Sequence, residues 1–255
     1  PIRNTSAILR RQATGDPSLR WCGEVIERQV GQMAHLLDDL LDVSRITFGK
    51  LTVTLERCDV ARVVEQAVET AWPMLKARGD RLATEFVAAP LFVRADPVRL
   101  AQVLTNLLTN AAKYSPAETE IRISAERDGD EIVIAVTDQG VGIEASQLHS
   151  VFEMFAQVEA PGTAGREGLG IGLALARGLV ELQDGRISAQ SAGPGRGSRF
   201  EVRLPALAPE TPDTTAAAPT GTAGRPLRVL VVDDLHDGAD SLALLLRERG
   251  HEVRV

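Results

Sequence analysis

The spacing of apolar positions changes character along the chain. From Ile26 through Val30, Met33, Leu37 and Leu40 to Ser44, apolar or small residues recur at alternating intervals of four and three, which keeps one seam of a helix facing a partner. The stretch before it, Ile2 to about Arg11, is also helix-like. It ends at Ala13-Thr14-Gly15-Asp16-Pro17, where Gly15 supplies a C-cap and Asp-Pro restarts a helix, so residues 1–50 read as a helical hairpin. The seam suits either a core helix of a monomer or a dimer bundle. Two such helices cannot bury their seams alone, so further helices must come from a second subunit or from additional sequence.

From Leu51 the pattern becomes an alternation of strands and helices. Strands are predicted near 51–57, 81–88, 91–95, 119–127, 130–138, 185–192 and 198–204, and helices near 59–76, 97–113 and 170–183. Thr119 to Ala125 alternates and should have one wet face, whereas Ile132 to Val136 is apolar throughout and should lie centrally. Residues 51–205 therefore read as an α/β sandwich, one mixed sheet under a helical layer, in an α+β chain. Residues 206–226 are rich in Pro, Thr, Ala and Gly, with Leu207 as the single large apolar residue; such a segment cannot offset its chain entropy by burial and is a linker. A new strand, Leu227 to Val232, runs into Asp233-Asp234 and a helix carrying Leu242, Leu244, Leu245 and Leu246. Residues 227–255 are too few to own a core.

Composition narrows the function. With 44% hydrophobic and 25% charged residues the chain is of ordinary globular type. Its net charge of −7 argues against a nucleic-acid partner, so any nucleotide must be held by local features. Aromatic residues make up only 4%, which disfavours stacking on bases. No apolar run approaches the roughly 20 residues that cross a bilayer, and the N-terminal residues lack a signal-peptide layout. Cys22 and Cys58 lie far apart without metal-type spacing and read as reduced thiols. A cytoplasmic chain without membrane contact is expected.

Four segments carry candidate chemistry. In the helix 97–113, Asn106, Asn110 and Lys113 share a face, where an amide oxygen can ligate Mg²⁺ and an ammonium can meet phosphate; a polar solvent face would look the same. Asp138-Gln-Gly140-Val-Gly142 ends the central strand. An ionised Asp there can accept a hydrogen bond from an exocyclic amine, which adenine offers and guanine does not, yet a tight glycine turn would also fit. Gly168-Leu-Gly170-Ile-Gly172 opens a helix, where backbone N–H groups can approach phosphate, or where helix and sheet simply pack closely. It is not a dinucleotide fingerprint, because no strand precedes it. Gly193-Pro-Gly195-Arg-Gly197, read alone, is a hairpin turn.

In this order the four segments resemble the N, G1, G2 and G3 boxes of the histidine-kinase catalytic domain, with Phe152-Glu-Met-Phe155 in place of its F box, over nearly all of 51–205. The resemblance implies the Bergerat α/β sandwich shared with gyrase-type ATPases, with ATP and Mg²⁺ as cofactors. It implies that Asn110 holds the metal, that Asp138 reads adenine, and that Lys113 and Tyr114 lie by the nucleotide. The glycines 140, 142, 168, 170, 172, 195 and 197 would border it, and 156–168 would be a lid. Gyrase-type relatives carry a water-activating Glu four residues before the metal-binding Asn. Here that position is Asn106, which cannot act as a general base, so transfer to a ready nucleophile is favoured over hydrolysis. A gyrase-type hydrolase and a non-enzymatic ATP sensor are the rival readings.

The flanks fit the same resemblance. Residues 1–50 are similar to a dimerisation and phosphoacceptor hairpin, with Pro1-Ile-Arg-Asn like the tail of an H box, which puts the phosphoacceptor histidine roughly eight residues upstream of Pro1. His35, His149, His236 and His251 read as solvated or packing residues. Residues 227–255 resemble the start of a flavodoxin-like response-regulator receiver, where Asp233 and Asp234 would hold Mg²⁺ and the acceptor aspartate would come later in the chain. Gln183-Asp184-Gly185 departs from the family's frequent His-Gly-Gly. The expected partners are a second copy through the hairpin and a receiver domain.

Overall fold

The computed structural model describes residues 17–86, 90–156, 169–208, 228–230 and 252–254. The first helix expected over Ile2–Arg11, most of the linker, Asp233, Asp234, Gly168 and most of the expected lid lie outside them. Contacts divide the chain into Pro1–Pro209 and Glu210–Val255.

In the first unit, α1 spans Pro17–Thr47. Along its predicted seam Met33 is 62% and Leu37 58% exposed, so this single chain leaves the seam uncovered until Val43 turns into the core. Two acidic caps start the next two helices. Asp59 accepts from the Ala61 N–H at 3.0 Å and starts α2, Val60–Arg78, which Gly79 closes in the left-handed region. Asp96 accepts from the Val98 and Arg99 N–H groups, both at 3.1 Å, and starts α3, Pro97–Tyr114, with proline at its first position.

The caps also correct the expectation of a single sheet. β1, Glu56–Asp59, and β3, Phe92–Ala95, form an antiparallel ladder of their own. Each leads into a capping aspartate, and an isolated bridge between Val93 and Ala206 links β3 to the residue after the last strand of the main sheet. Residues 51–55, predicted as strand, are not: the Thr54 N–H is taken by Asp96 Oδ2 at 3.0 Å. The main sheet has five strands, β2 (Arg81–Phe86), β4 (Glu120–Asp128), β5 (Glu131–Thr137), β6 (Arg186–Gln190) and β7 (Arg199–Pro205), in the order β2-β4-β5-β7-β6. β2 and β4 are parallel and the other pairs antiparallel, a mixed sheet as expected.

Alternation decides the faces. In β4, Ile121, Ile123 and Ala125 are buried while Arg122 and Glu126 are exposed. β5 is central and buried on both faces. Ile132, Ile134 and Val136 pack with Val202 and Leu204 against Leu104, Leu107 and Leu108 of α3 and their neighbours on α2. On the far face Val133 and Ala135 lie opposite Arg203 and Glu201, where an ion lattice joins Arg199 to Glu201 at 2.8 Å, Arg203 to Asp128 at 2.8 Å, and Arg186 to Glu131. Long arginine stems can cover apolar strand surface while their charges stay in water.

The third helix of the layer, α4, spans Gly172–Glu181 instead of the predicted 170–183. Gly170 has φ +67°, outside the helical region, which delays the start. The end of α1 docks here: a Cβ on Gly178 would meet Ile46 at 3.0 Å, and Asp42 pairs with Arg99 of α3 at 2.7 Å. In the second unit, β8 (Arg228–Leu230) and β9 (Glu252–Arg254) pair in parallel.

Candidate active site

The end of α3, the turn after β5 and the start of α4 meet around one cavity of about 640 Å³, counting the space at its mouth. Asn110 and Tyr114 reach it from α3, Asp138 and Gly142 from the turn after β5, and Ser198 and Phe200 from β7 and the residue before it. Its walls are largely apolar, with Val141, Ile143, Val151 and Leu173 among them. Phe200 is held edge to face by Phe152 at 6.3 Å between ring centroids, so the expected F box begins as a structural wall. Phe155, at its end, is 62% exposed.

Asp138 is 6% exposed. Its Oδ1 accepts from the Gly140 N–H at 2.7 Å and the Ser198 N–H at 3.2 Å. Oδ2 takes no part in either backbone bond, and the Ser198 side chain adds a hydrogen bond to the carboxyl. Burial pushes this carboxyl above the ordinary aspartate range, against the pull of the Gly140 and Ser198 hydrogen bonds. A ligand that donates to it would recover part of that cost.

The glycines of the second and fourth segments serve each other. The Gly195 N–H donates to Val141 O at 2.6 Å and the Gly197 N–H to Gly140 O at 3.1 Å, stitching the two loops into one floor. Gly142 has φ +69° and Gly197 +68°, and a Cβ on either would stand 2.1 Å from a backbone oxygen, that of Gly193 or that of Asp138. Only glycine fits at both. Of these glycines, Gly142 borders the cavity, whereas Gly140, Gly195 and Gly197 hold its floor together. In the third segment the Phe155 N–H donates to Gly170 O at 3.0 Å, closing the two anchors of residues 157–168 on each other. Gly172 lies against the side-chain amide of Asn106.

The three polar residues of α3 separate in role. Asn110 lines the cavity, and its Nδ2 donates to Asn106 Oδ1 at 3.1 Å, which leaves the Asn110 oxygen as the unspent atom. Asn106 borders a different groove, between α1 and α3. The Lys113 ammonium sits 4.9 Å from the centre of the Tyr114 ring, a cation–π contact.

Gln183 is a residue that sequence reasoning missed. It is 1% exposed, its Oε1 accepts from the Asp96 N–H at 2.8 Å, and its Nε2 donates to Leu179 O at 2.7 Å. The start of α3 is thus tied to the end of α4. Beside it Asp184 takes φ +57°, which aspartate tolerates, at a position where the family often has glycine. Ser198 and Phe200 were also missed, although the residues just after the last glycine segment were the place to look. His149 is exposed, His35 lies on α1, and His236 and His251 fall outside the described residues. Cys22 and Cys58 are both free thiols.

These residues fit a magnesium nucleotide. A buried carboxylate in an apolar slot suits adenine. Among the described residues no three His, Cys, Asp or Glu side chains gather as a metal cage. Magnesium commonly takes one or two protein ligands and completes its octahedron with phosphates and water, and the Asn110 oxygen meets that need. No helix among the described residues is long and apolar enough to cross a membrane.

Comparison with known proteins agrees. Residues 95–208 match the family of histidine kinase-, DNA gyrase B- and HSP90-like ATPases. The chain is 34% identical over 184 residues to the alginate biosynthesis sensor protein KinB of Pseudomonas aeruginosa, covering 71% of this chain and 30% of that protein. It is 32% identical over 262 residues to the autoinducer 2 sensor kinase/phosphatase LuxQ of Vibrio cholerae, covering 99% of this chain and 30% of LuxQ. The solved structure of the mycobacterial sensor histidine kinase MprB superposes with a TM-score of 0.52 at 26% identity, over 60% of this chain and 98% of that one. The chain thus spans less than a third of the curated relatives. They are named as a sensor protein and a sensor kinase/phosphatase, and the likeness supports ATP-dependent histidine kinase signalling.

Proposed function

Because residues 95–208 match this ATPase family and the relatives are sensor kinases, we propose that the domain over 51–205 binds Mg-ATP and transfers its γ-phosphoryl to a histidine. The observation that carries the proposal is Asp138, a buried carboxylate whose Oδ1 takes the Gly140 and Ser198 N–H groups, lining the same largely apolar cavity as Asn110. In the reaction the bond between the γ-phosphorus and the bridging oxygen breaks, ADP leaves, and an imidazole nitrogen forms the new bond to phosphorus. Magnesium, when bound, neutralises charge on the phosphates. The chain's own contribution is placement: Asp138 accepts from the adenine amine, the apolar walls exclude water from the ring, and Asn110 offers its oxygen towards the metal.

On this reading α1 is the second helix of a dimerising hairpin, its uncovered seam meeting helices of a second copy. Residues 227–255 are the start of a receiver whose Asp233 and Asp234 hold a second Mg²⁺, and the phosphoryl group passes from histidine to aspartate. The LuxQ alignment, which runs over both flanks, supports that layout. Hydrolysis is disfavoured because Asn106, at the position of the gyrase-type base, carries an amide already bonded to Asn110.

Calorimetry tests the base reading. Mg-ATP should bind at least about tenfold more tightly than Mg-GTP, and Asp138→Ala should remove most of that difference, since the unmatched amine or carbonyl then finds no partner. Equal affinity of the parental domain for the two nucleotides would contradict it.

A further inference from the structure

The third glycine of Gly168-Leu-Gly170-Ile-Gly172 is the first residue of α4, with an ordinary helical φ. Its backbone conformation therefore does not demand glycine. Space does: a Cβ there would lie 2.7 Å from Asn106 Oδ1 and 2.8 Å from its Nδ2. The Asn106 amide is thus seated against the bare backbone of Gly172. From that seat its oxygen accepts from Asn110 Nδ2 at 3.1 Å. Asn106 borders the groove between α1 and α3 and not the cavity that Asn110 lines.

An asparagine amide can present either its oxygen or its nitrogen, and only the oxygen can ligate a cation. Once Nδ2 is committed to Asn106, the Asn110 oxygen is the end left for the cavity. We infer that Asn106 is a positioning residue that orients Asn110 towards magnesium, and that Gly172 is glycine to make room for it. This deepens the Mg-ATP reading above and rests on it. Outer partners of this kind commonly change metal affinity about 10- to 100-fold when removed.

Gly172→Ala separates this role from a structural one. Alanine suits a helical position better than glycine, so the fold should hold, and a thermal melt at or above the parental one checks it. The added methyl must displace the Asn106 amide, the far end of a flexible side chain. In the full chain, ATP affinity is measured by calorimetry with saturating Mg²⁺ and again in EDTA. Gly172→Ala and Asn106→Ala should each cut the enhancement by magnesium about tenfold or more, while affinity in EDTA stays within about twofold. Asn106→Asp keeps the acceptor oxygen and should restore most of the enhancement. In spectra of the side-chain amides, the Asn110 proton bonded to Asn106 should move upfield in Gly172→Ala, with or without nucleotide.

If both variants keep the parental enhancement, the inference fails alone. If Asn106→Asp binds magnesium far more tightly than the parent, Asn106 is itself a ligand and the inference fails. If Gly172→Ala weakens ATP equally in EDTA, that glycine serves phosphate directly and the inference fails. A parental chain that binds ATP no better with magnesium than without it overturns the Mg-ATP reading as well.

Discussion

Asp138 is held in the fold at a cost. Burial raises its pKa, so the folded carboxyl holds its proton more tightly than the unfolded one. Its contribution to stability is therefore greatest below the ordinary aspartate range, falls as pH rises through that range to the raised value, and is flat above it. Asn at this position keeps an Oδ1 for the Gly140 and Ser198 N–H groups but carries no charge. Asp138→Asn should therefore melt higher than the parent in the absence of nucleotide, with a difference that grows as pH rises through the carboxylate range. It should also lose ATP binding, because its amide would turn a donor towards the adenine amine. Melting curves across pH check the first half and calorimetry the second; a variant less stable than the parent at neutral pH would contradict the cost assigned to burial. The aspartate was legible in the sequence as the polar end of an apolar strand. That one of its oxygens is consumed locally was not, because the partner Ser198 is sixty residues away, just before β7.

The helices divide the labour between positioning and packing. The helix starts near 59 and 97, the alternation in β4 and the apolar run of β5 could all be read from local spacing, because local chemistry sets them. Three features could not. The β1–β3 ladder pairs strands more than thirty residues apart, a partnership that a strand pattern does not reveal. The glycines of the second and fourth segments mesh with each other, a contact between loops distant in sequence. Gln183 looked like a departure from a turn motif and proved to be a buried amide bridging α3 and α4. Gln183→Leu fills the same space but leaves the Asp96 N–H and Leu179 O without their partner. It should cost about 1–3 kcal/mol in urea unfolding, the usual cost of a buried unpaired group. Because α3 carries Asn106 and Asn110, ATP affinity should fall with it. An unchanged midpoint would show that water replaces the amide at no cost.

At the scale of the molecule, the described residues lining the candidate site all fall between Asn110 and Phe200, while α1 presents an apolar seam that this chain leaves exposed. Met33 and Leu37 lie open on α1, and Asp42 and Ile46 tie that helix to α3 and α4. The nucleotide site thus sits on a unit in physical contact with the helix proposed to carry the dimer seam. Composition and motif order pointed to this plan from the sequence; the docking of α1 did not show, since it rests on Val43, Ile46 and the Asp42–Arg99 ion pair meeting residues distant in sequence. The central claim is phosphoryl transfer to histidine, and one assay bears on it most directly: incubate the chain with γ-labelled ATP, magnesium and a hairpin dimer bearing the phosphoacceptor histidine, and track peptide label and free phosphate together. Kinase chemistry predicts acid-labile label on the peptide's histidine, formed faster than phosphate is released and abolished by Asn110→Ala. Free phosphate accumulating with no label on the peptide, or label that persists undiminished in Asn110→Ala, would contradict it.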